Sequence, residues 1–206
     1  MMLIRKLFGP SQREVWEQLC AESGSEYVQG SLFKRPRVRK RVGNWTITLE
    51  ASKSSGPPGT KITTTRLRVP FVSQDGFRFT IERKPTGGGL GKPIGKHYIT
   101  CGYPDFDADF WVNSREEAKT RALLGDMEFR ELLRAQTSLW LKVGDHAGWF
   151  GPKFPENIDM LVFEEIDIKP MADVKRLQSL FDLMEASLSQ LCRIGSATRD
   201  DPGVIL

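Results

Sequence analysis

Three aspartates at alternate positions, Asp105, Asp107 and Asp109, have the types and spacing best suited to chemistry in this chain. In an extended strand their carboxylates share one face, with Phe106, Ala108, Phe110 and Val112 on the other. Such a face could ligate Mg²⁺ or Mn²⁺ and serve phosphodiester chemistry. The spacing also matches positions 1, 3 and 5 of a calcium loop, with Glu116 at position 12, but Phe110 stands where the sharp turn requires glycine. No helical pattern precedes the stretch either, so an EF-hand is excluded. The plainer reading is a solvated strand face, or one that answers positive charge elsewhere.

That positive charge is concentrated early. From Lys34 to Arg41 the chain carries six basic residues in eight. In a strand, Arg37, Arg39 and Arg41 share a face, and Arg66 and Arg68 repeat the pattern further on. Clustered arginines are the electrostatic footprint of an anion binder. No helix-turn-helix or aromatic RNA-recognition signature accompanies them, so nucleic acid is not the expected partner. The plainer reading is a solvated face, partly paired with carboxylates of the acidic second half of the chain.

Other candidates fail on spacing. Thr86-Gly87-Gly88-Gly89-Leu90-Gly91-Lys92-Pro93 lacks the first glycine of a Walker loop and has proline at its hydroxyl position. It reads as an inter-strand loop. Cys101 and His97 share strand parity, but i,i+4 residues on one strand lie about 13 Å apart at roughly 3.3 Å per residue. They cannot form a nucleophile–base pair. Cys20 and Cys192 fall on apolar helix faces. Three cysteines without a CxxC pair, and two histidines, supply neither a disulfide framework nor a zinc site.

These residues need elements to position them. Residues 1–100 hold 18 Lys/Arg against 7 Asp/Glu, whereas residues 101–206 hold 12 against 19, so a net charge of +4 conceals a basic half and an acidic half. A 39% hydrophobic and 27% charged composition over 206 residues is that of an ordinary globular chain. No apolar run approaches the roughly 20 residues of a transmembrane helix. Arg5-Lys6 interrupts the start too early for a signal peptide, so the cytoplasm is the expected compartment, with Met1 to Phe8 packed on the domain or frayed.

Ser11-Gln12-Arg13-Glu14 is a capping box ahead of Val15, Trp16, Leu19 and Cys20 at helical spacing, with Gly24 as the stop. From Tyr27 to Val112 the pattern is mainly β. Trp45, Ile47 and Leu49 alternate with polar residues, as do Phe77, Phe79 and Ile81, and Gly43-Asn44 joins two such runs at hairpin length. Ile62 to Phe71 reads as one long strand, with Pro70 marking an edge or an end. Ser114-Arg115-Glu116-Glu117 is a second capping box, and Asp126 caps a further helix. Strands follow around Leu139–Val143, Ala147–Phe150 and Met160–Ile166. Pro170 then opens a long helix with Val174, Leu177, Phe181, Met184, Leu188 and Leu191 along its inner stripe. Strands neighbour strands without regular βαβ alternation, which predicts an α+β fold: a mainly antiparallel sheet covered by helices. One domain spans residues 1–197, and residues 198–206 form a loose tail.

Several stretches also carry a resemblance. They are Phe8-Gly9-Pro10-Ser11 with Trp16 and Leu19, Asn44 to Leu49, Thr65-Arg66, Pro70-Phe71, Gly76 to Phe79, Leu90-Gly91-Lys92 and Gly102 to Asp107. Gly148 to Gly151, Lys153-Phe154-Pro155 and Leu191 to Ala197 extend the same pattern. Together the chain resembles a group of uncharacterised bacterial proteins close to a domain-of-unknown-function family. The resemblance covers nearly the whole chain and implies one integrated domain, with no activity attached. The reading that follows is a cytoplasmic, non-catalytic binding module with a protein partner and no cofactor. Its rival is a metal-dependent enzyme acting on a phosphate compound, with Asp105, Asp107 and Asp109 as ligands and the arginine strands holding substrate.

Overall fold

The computed structural model describes residues 10–32, 34–55, 60–85, 97–144, 154–167 and 173–206. Helix α1 (Gln12–Ser23) opens with the expected capping box: the Ser11 hydroxyl accepts from Glu14 N–H, and the Glu14 carboxylate accepts from Ser11 N–H at 2.9 Å. It ends at Gly24, whose φ of 67° is the left-handed conformation that favours glycine.

Nine strands follow: β1 (Glu26–Val28), β2 (Arg37–Val42), β3 (Trp45–Ser55), β4 (Lys61–Val72), β5 (Phe79–Arg83), β6 (Tyr98–Ile99), β7 (Phe110–Ser114), β8 (Trp140–Gly144) and β9 (Ile158–Asp167). They form one sheet in the order β1-β2-β3-β4-β9-β8-β5-β7-β6, antiparallel at every pairing. The fold is α+β with a long C-terminal helix. Strands β1 to β4 form a meander, and β9, though last in sequence, enters between β4 and β8. Its pairing runs from Thr63↔Asp167 to Val72↔Ile158 on one side and from Trp140↔Glu164 to Gly144↔Met160 on the other. The basic early strands and the later ones are thus joined through one central strand.

Alternation divides the sheet into two faces. Val38, Ile47, Leu49, Leu67, Val69, Leu161, Phe163, Leu141, Ile81 and Val112 point to one face and are almost wholly buried. Helices α1, α2 (Pro104–Asp109), α3 (Glu117–Leu123), α4 (Met127–Arg134) and α5 (Val174–Arg193) add their buried side chains to this same layer. The predicted α5 stripe is core: Leu177, Phe181, Met184, Leu188 and Leu191 are 0–1% exposed. Asp173 caps that helix through Lys175 and Arg176 N–H groups, and Pro170 lies outside the described residues. The opposite face carries Arg37, Glu50, Arg66, Glu164, Trp140, Lys142 and Glu82. It also holds Ile158, Met160 and Val162, which are buried apart from the main core.

Four expectations change in the structure. The aspartate stretch is helix α2, not a strand: Pro104 occupies its first turn, where a missing N–H costs nothing, and extended pairing starts only at Phe110. The second capping box does not form, because Ser114 is held in β7 opposite Phe79. Its hydroxyl donates to Arg78 O and accepts from Glu116 N–H, each at 3.1 Å. Pro70 does lie near the end of its strand, which stops at Val72, but the strand is interior rather than an edge. Pro70 pairs with Met160, and β3 pairs with β4 only as far as Arg68, so Pro70 interrupts no β3–β4 pair. The tail is tied down rather than loose: Thr198 N–H donates to Val72 O (3.0 Å), Asn44 Nδ2 to Arg199 O (2.9 Å), and Pro202 is buried. The glycine loop, the Ala147–Phe150 strand and Met1 to Phe8 lie outside the described residues.

Candidate binding face

The five arginines expected on one face lie there, and each is engaged. Glu50 is opposite Arg37 on β2 and Arg66 on β4. Its two carboxylate oxygens meet Arg37 Nη1 at 3.9 Å and Arg68 Nη2 at 2.6 Å. Arg66 pairs with Glu164, its direct neighbour on β9. Arg39 donates through Nε (3.1 Å) and Nη2 to the main-chain carbonyl of Leu206, and Arg41 Nε donates to Gly43 O at 3.1 Å. Arg37 Nε, Arg68 Nε and the Thr48 hydroxyl are buried without a hydrogen-bond partner. Two arginines sharing one carboxylate leave this patch net positive. Its charge asymmetry in sequence is partly answered across the sheet, by Arg66–Glu164 here and by Lys40–Asp182 and Arg78–Asp159 elsewhere.

Asp105, Asp107 and Asp109 do not converge. Successive alternate positions on a helix point about 200° apart. Asp107 turns back on its own chain, accepting from the N–H groups of Cys101 (2.8 Å), Gly102 (2.9 Å) and Tyr103 (3.1 Å). Asp109 faces Arg134 (3.6 Å) and Arg83 (3.9 Å), and Asp105 is exposed. Among the described residues no group of three or more His, Cys, Asp or Glu side chains is placed to hold a metal. Asp107 is a structural cap for the turn at Gly102. It also acts on Cys101: burial, then the neighbouring Asp107 carboxylate, pushes that thiol up to about 12. At neutral pH Cys101 is therefore a packed thiol, not a thiolate nucleophile.

The register shows a feature that the sequence reading passed over. Trp140 on β8 stands directly opposite Glu164 on β9 and Glu82 on β5, and Trp111 on β7 follows opposite Glu82. An aromatic thus sits between two carboxylates in one line across the sheet. Along this line opens a cleft of about 480 Å³, lined by Glu82, Lys84, Thr137, Trp140, Glu164 and Ile166 among others. Ile166 is 69% exposed there. Lys142 lies 4.4 Å from the Trp140 ring centroid, and Lys84 Nζ is held by Asp107 O at 2.6 Å, which fixes one wall of the cleft. The signal in sequence was parity: with Leu139, Leu141 and Val143 inward, Trp140 must face outward. Glu164-Glu165 hid the matching side of β9, because Glu165 points into the core and pairs there with Arg176.

We compared the chain with family models, with curated proteins and with solved structures. None of the three yields a match. The resemblance to the bacterial group therefore rests on the sequence motifs alone, and the functional reading rests on the geometry.

Proposed function

We propose that this chain is a non-catalytic bacterial binding module of the cytoplasm, which takes a segment of a protein partner into the cleft around Trp140. One observation carries the reading: Trp140 flanked in register by Glu82 and Glu164, with Ile166 exposed at the mouth of the cleft. Large aromatic and apolar side chains set in a polar, charged surround are the composition of an interface anchor. A volume near 480 Å³ lies in the range of ligand sites and accommodates a bulky side chain of a partner. Three widely spaced cysteines without a CxxC pair support a reducing compartment, and the resemblance supports the bacterial assignment. Among the described residues no helix is long and apolar enough to cross a membrane.

The test is photo-crosslinking in cells. A benzophenone amino acid at Ile166 is expected to yield a discrete protein adduct, and the same group at Arg13, on exposed helix α1, is expected to give none. Absence of an adduct at 166, or identical adducts from both positions, overturns the proposal.

A further inference from the structure

We infer that a second cleft, between the β2–β3 turn, helix α5 and the chain that follows it, binds a free α-amino acid with an apolar side chain. It measures about 330 Å³ and is bounded by Val42 and Trp45 on the hairpin, Glu185 and Ser189 on the helix, and Arg199 beyond it. That volume lies at the low end of small-molecule sites, so the ligand is small. The walls are tied together. Arg41 Nε donates to Gly43 O at 3.1 Å, Asn44 Nδ2 to Arg199 O at 2.9 Å, and Thr198 N–H to Val72 O at 3.0 Å. The site is therefore formed before any ligand arrives, which spares the cost of ordering it.

Two opposite charges border this cleft without meeting. Among the described residues Glu185 and Arg199 form no ion pair or side-chain hydrogen bond, and the Ser189 hydroxyl has no partner. The other acidic residue of α5, Asp182, meets Lys40 at 3.7 Å, and Asp200 beside Arg199 accepts from Thr198 Oγ1 at 2.8 Å. Glu185, Ser189 and Cys192 are spaced i, i+4 and i+7, so they lie along one side of the helix. Burial pushes the Cys192 thiol up and the Arg199 guanidinium counters it, which sets that cation toward the C-terminal end of the row. Negative charge thus stands at one end of the cleft and positive charge at the other. The hairpin wall is Trp45, 4% exposed, whose indole N–H is buried without an acceptor. Buried polar groups are nearly always paired, so an orphan donor on a residue that lines a cleft asks for an acceptor.

A zwitterion answers all of these groups at once. Its ammonium faces Glu185, its carboxylate faces Arg199, whose fork suits that group, and a carboxylate oxygen is the acceptor that Trp45 lacks. Val42 and the Trp45 ring take an apolar side chain. An α-amino acid is the most compact ligand that carries both charges and such a side chain. A simple anion would be repelled by Glu185 and a simple amine by Arg199, so each is rejected by a charge that the amino acid uses.

The test is a titration of the full chain with L-valine, L-leucine and L-phenylalanine, read from the Trp45 indole N–H resonance, which is assigned by its loss in Trp45→Phe. At least one of the three is expected to shift that resonance saturably. Its Nα-acetyl derivative lacks the ammonium and its amide lacks the carboxylate. Each is expected to bind about tenfold or more weakly, having lost one charge-assisted hydrogen bond. Glu185→Gln and Arg199→Gln are expected to weaken binding by about the same factor. Both should melt with the parent, since neither side chain has a partner among the described residues. No saturable shift with any of the three at millimolar concentration overturns the inference. Equal binding of the acetyl derivative, or undiminished binding by Glu185→Gln, overturns it as well.

Discussion

The two faces of the sheet use the same strands to different ends. On the helix side, most alternate residues of the central strands are aliphatic or aromatic and nearly inaccessible, and the two buried carboxylates there are closed pairs. Asp159, 4% exposed, accepts two bonds from Arg78 at 2.5 and 2.6 Å, and Glu165 is matched by Arg176. On the opposite side charge is shared: two arginines divide Glu50, Arg66 leans on Glu164, and Trp140 stands between carboxylates. The main core thus lies on one parity, and the other carries the paired charges and Trp140 beside a small buried group at Ile158, Met160 and Val162. A substitution at Leu141 and one at Trp140 should therefore differ in kind, although the residues are adjacent.

The contrast can be broken from the core side first. Phe181 on α5 is fully buried, with Lys40 Nζ 5.7 Å from its ring centroid. Phe181→Ala should destabilise by about 3–5 kcal/mol in denaturant unfolding. A variant that unfolds with the parent would mean that the helix stripe is not core.

A smaller effect is expected at Asp107. Asp107→Asn keeps the shape but sets an amide among three N–H donors, at a cost of about 1–3 kcal/mol. The loss should not depend on metal. Mg²⁺, Mn²⁺, Ca²⁺ and Zn²⁺ should leave the parent's melting temperature unchanged, whereas a site filled at a hundredfold excess over its Kd would add about 2.7 kcal/mol. A metal-specific shift lost in Asp107→Asn would restore the enzyme reading.

The smallest effect is expected from the arginines. Three phosphate contacts would give a log–log salt slope near −2.7 on duplex DNA, about 40-fold between roughly 50 and 200 mM salt. With Arg37 on Glu50, Arg39 on Leu206 O and Arg41 on Gly43 O, fluorescence anisotropy should show weak or no binding near physiological salt. Micromolar binding abolished by Arg37→Ala/Arg39→Ala/Arg41→Ala would show that the arginine face binds polyanions in spite of those contacts.

Much of the fold was legible because its signals are local. The Ser11 box, the Gly43-Asn44 turn, the α5 stripe and the shared parity of the arginines all depend on near neighbours in sequence. Parity placed Arg37, Arg39 and Arg41 on one face. Arg41 finds its partner locally at Gly43 O and Arg37 on the next strand at Glu50, but the partner of Arg39, Leu206 O, lies 167 residues away. The insertion of β9 between β4 and β8 is likewise a long-range pairing that no short window encodes. At Asp105 to Asp109 two local signals conflicted, alternation against Pro104 at a helix start, and Asp107 decided the matter by capping the turn at Gly102. Trp140 was legible by parity alone, but its significance required Glu82 and Glu164 on strands that are not its sequence neighbours.

The most direct test is to read crosslinking and stability together in Trp140→Ala, carrying the benzophenone group at position 166. Trp140 is half-buried on the surface parity, so the expected result is loss of the protein adduct with melting close to that of the parent and far above that of Phe181→Ala. An undiminished adduct would contradict the Trp140 cleft as the binding site. A loss of stability as large as that of Phe181→Ala would show instead that Trp140 belongs to the core, and the division of labour between the two faces would fall.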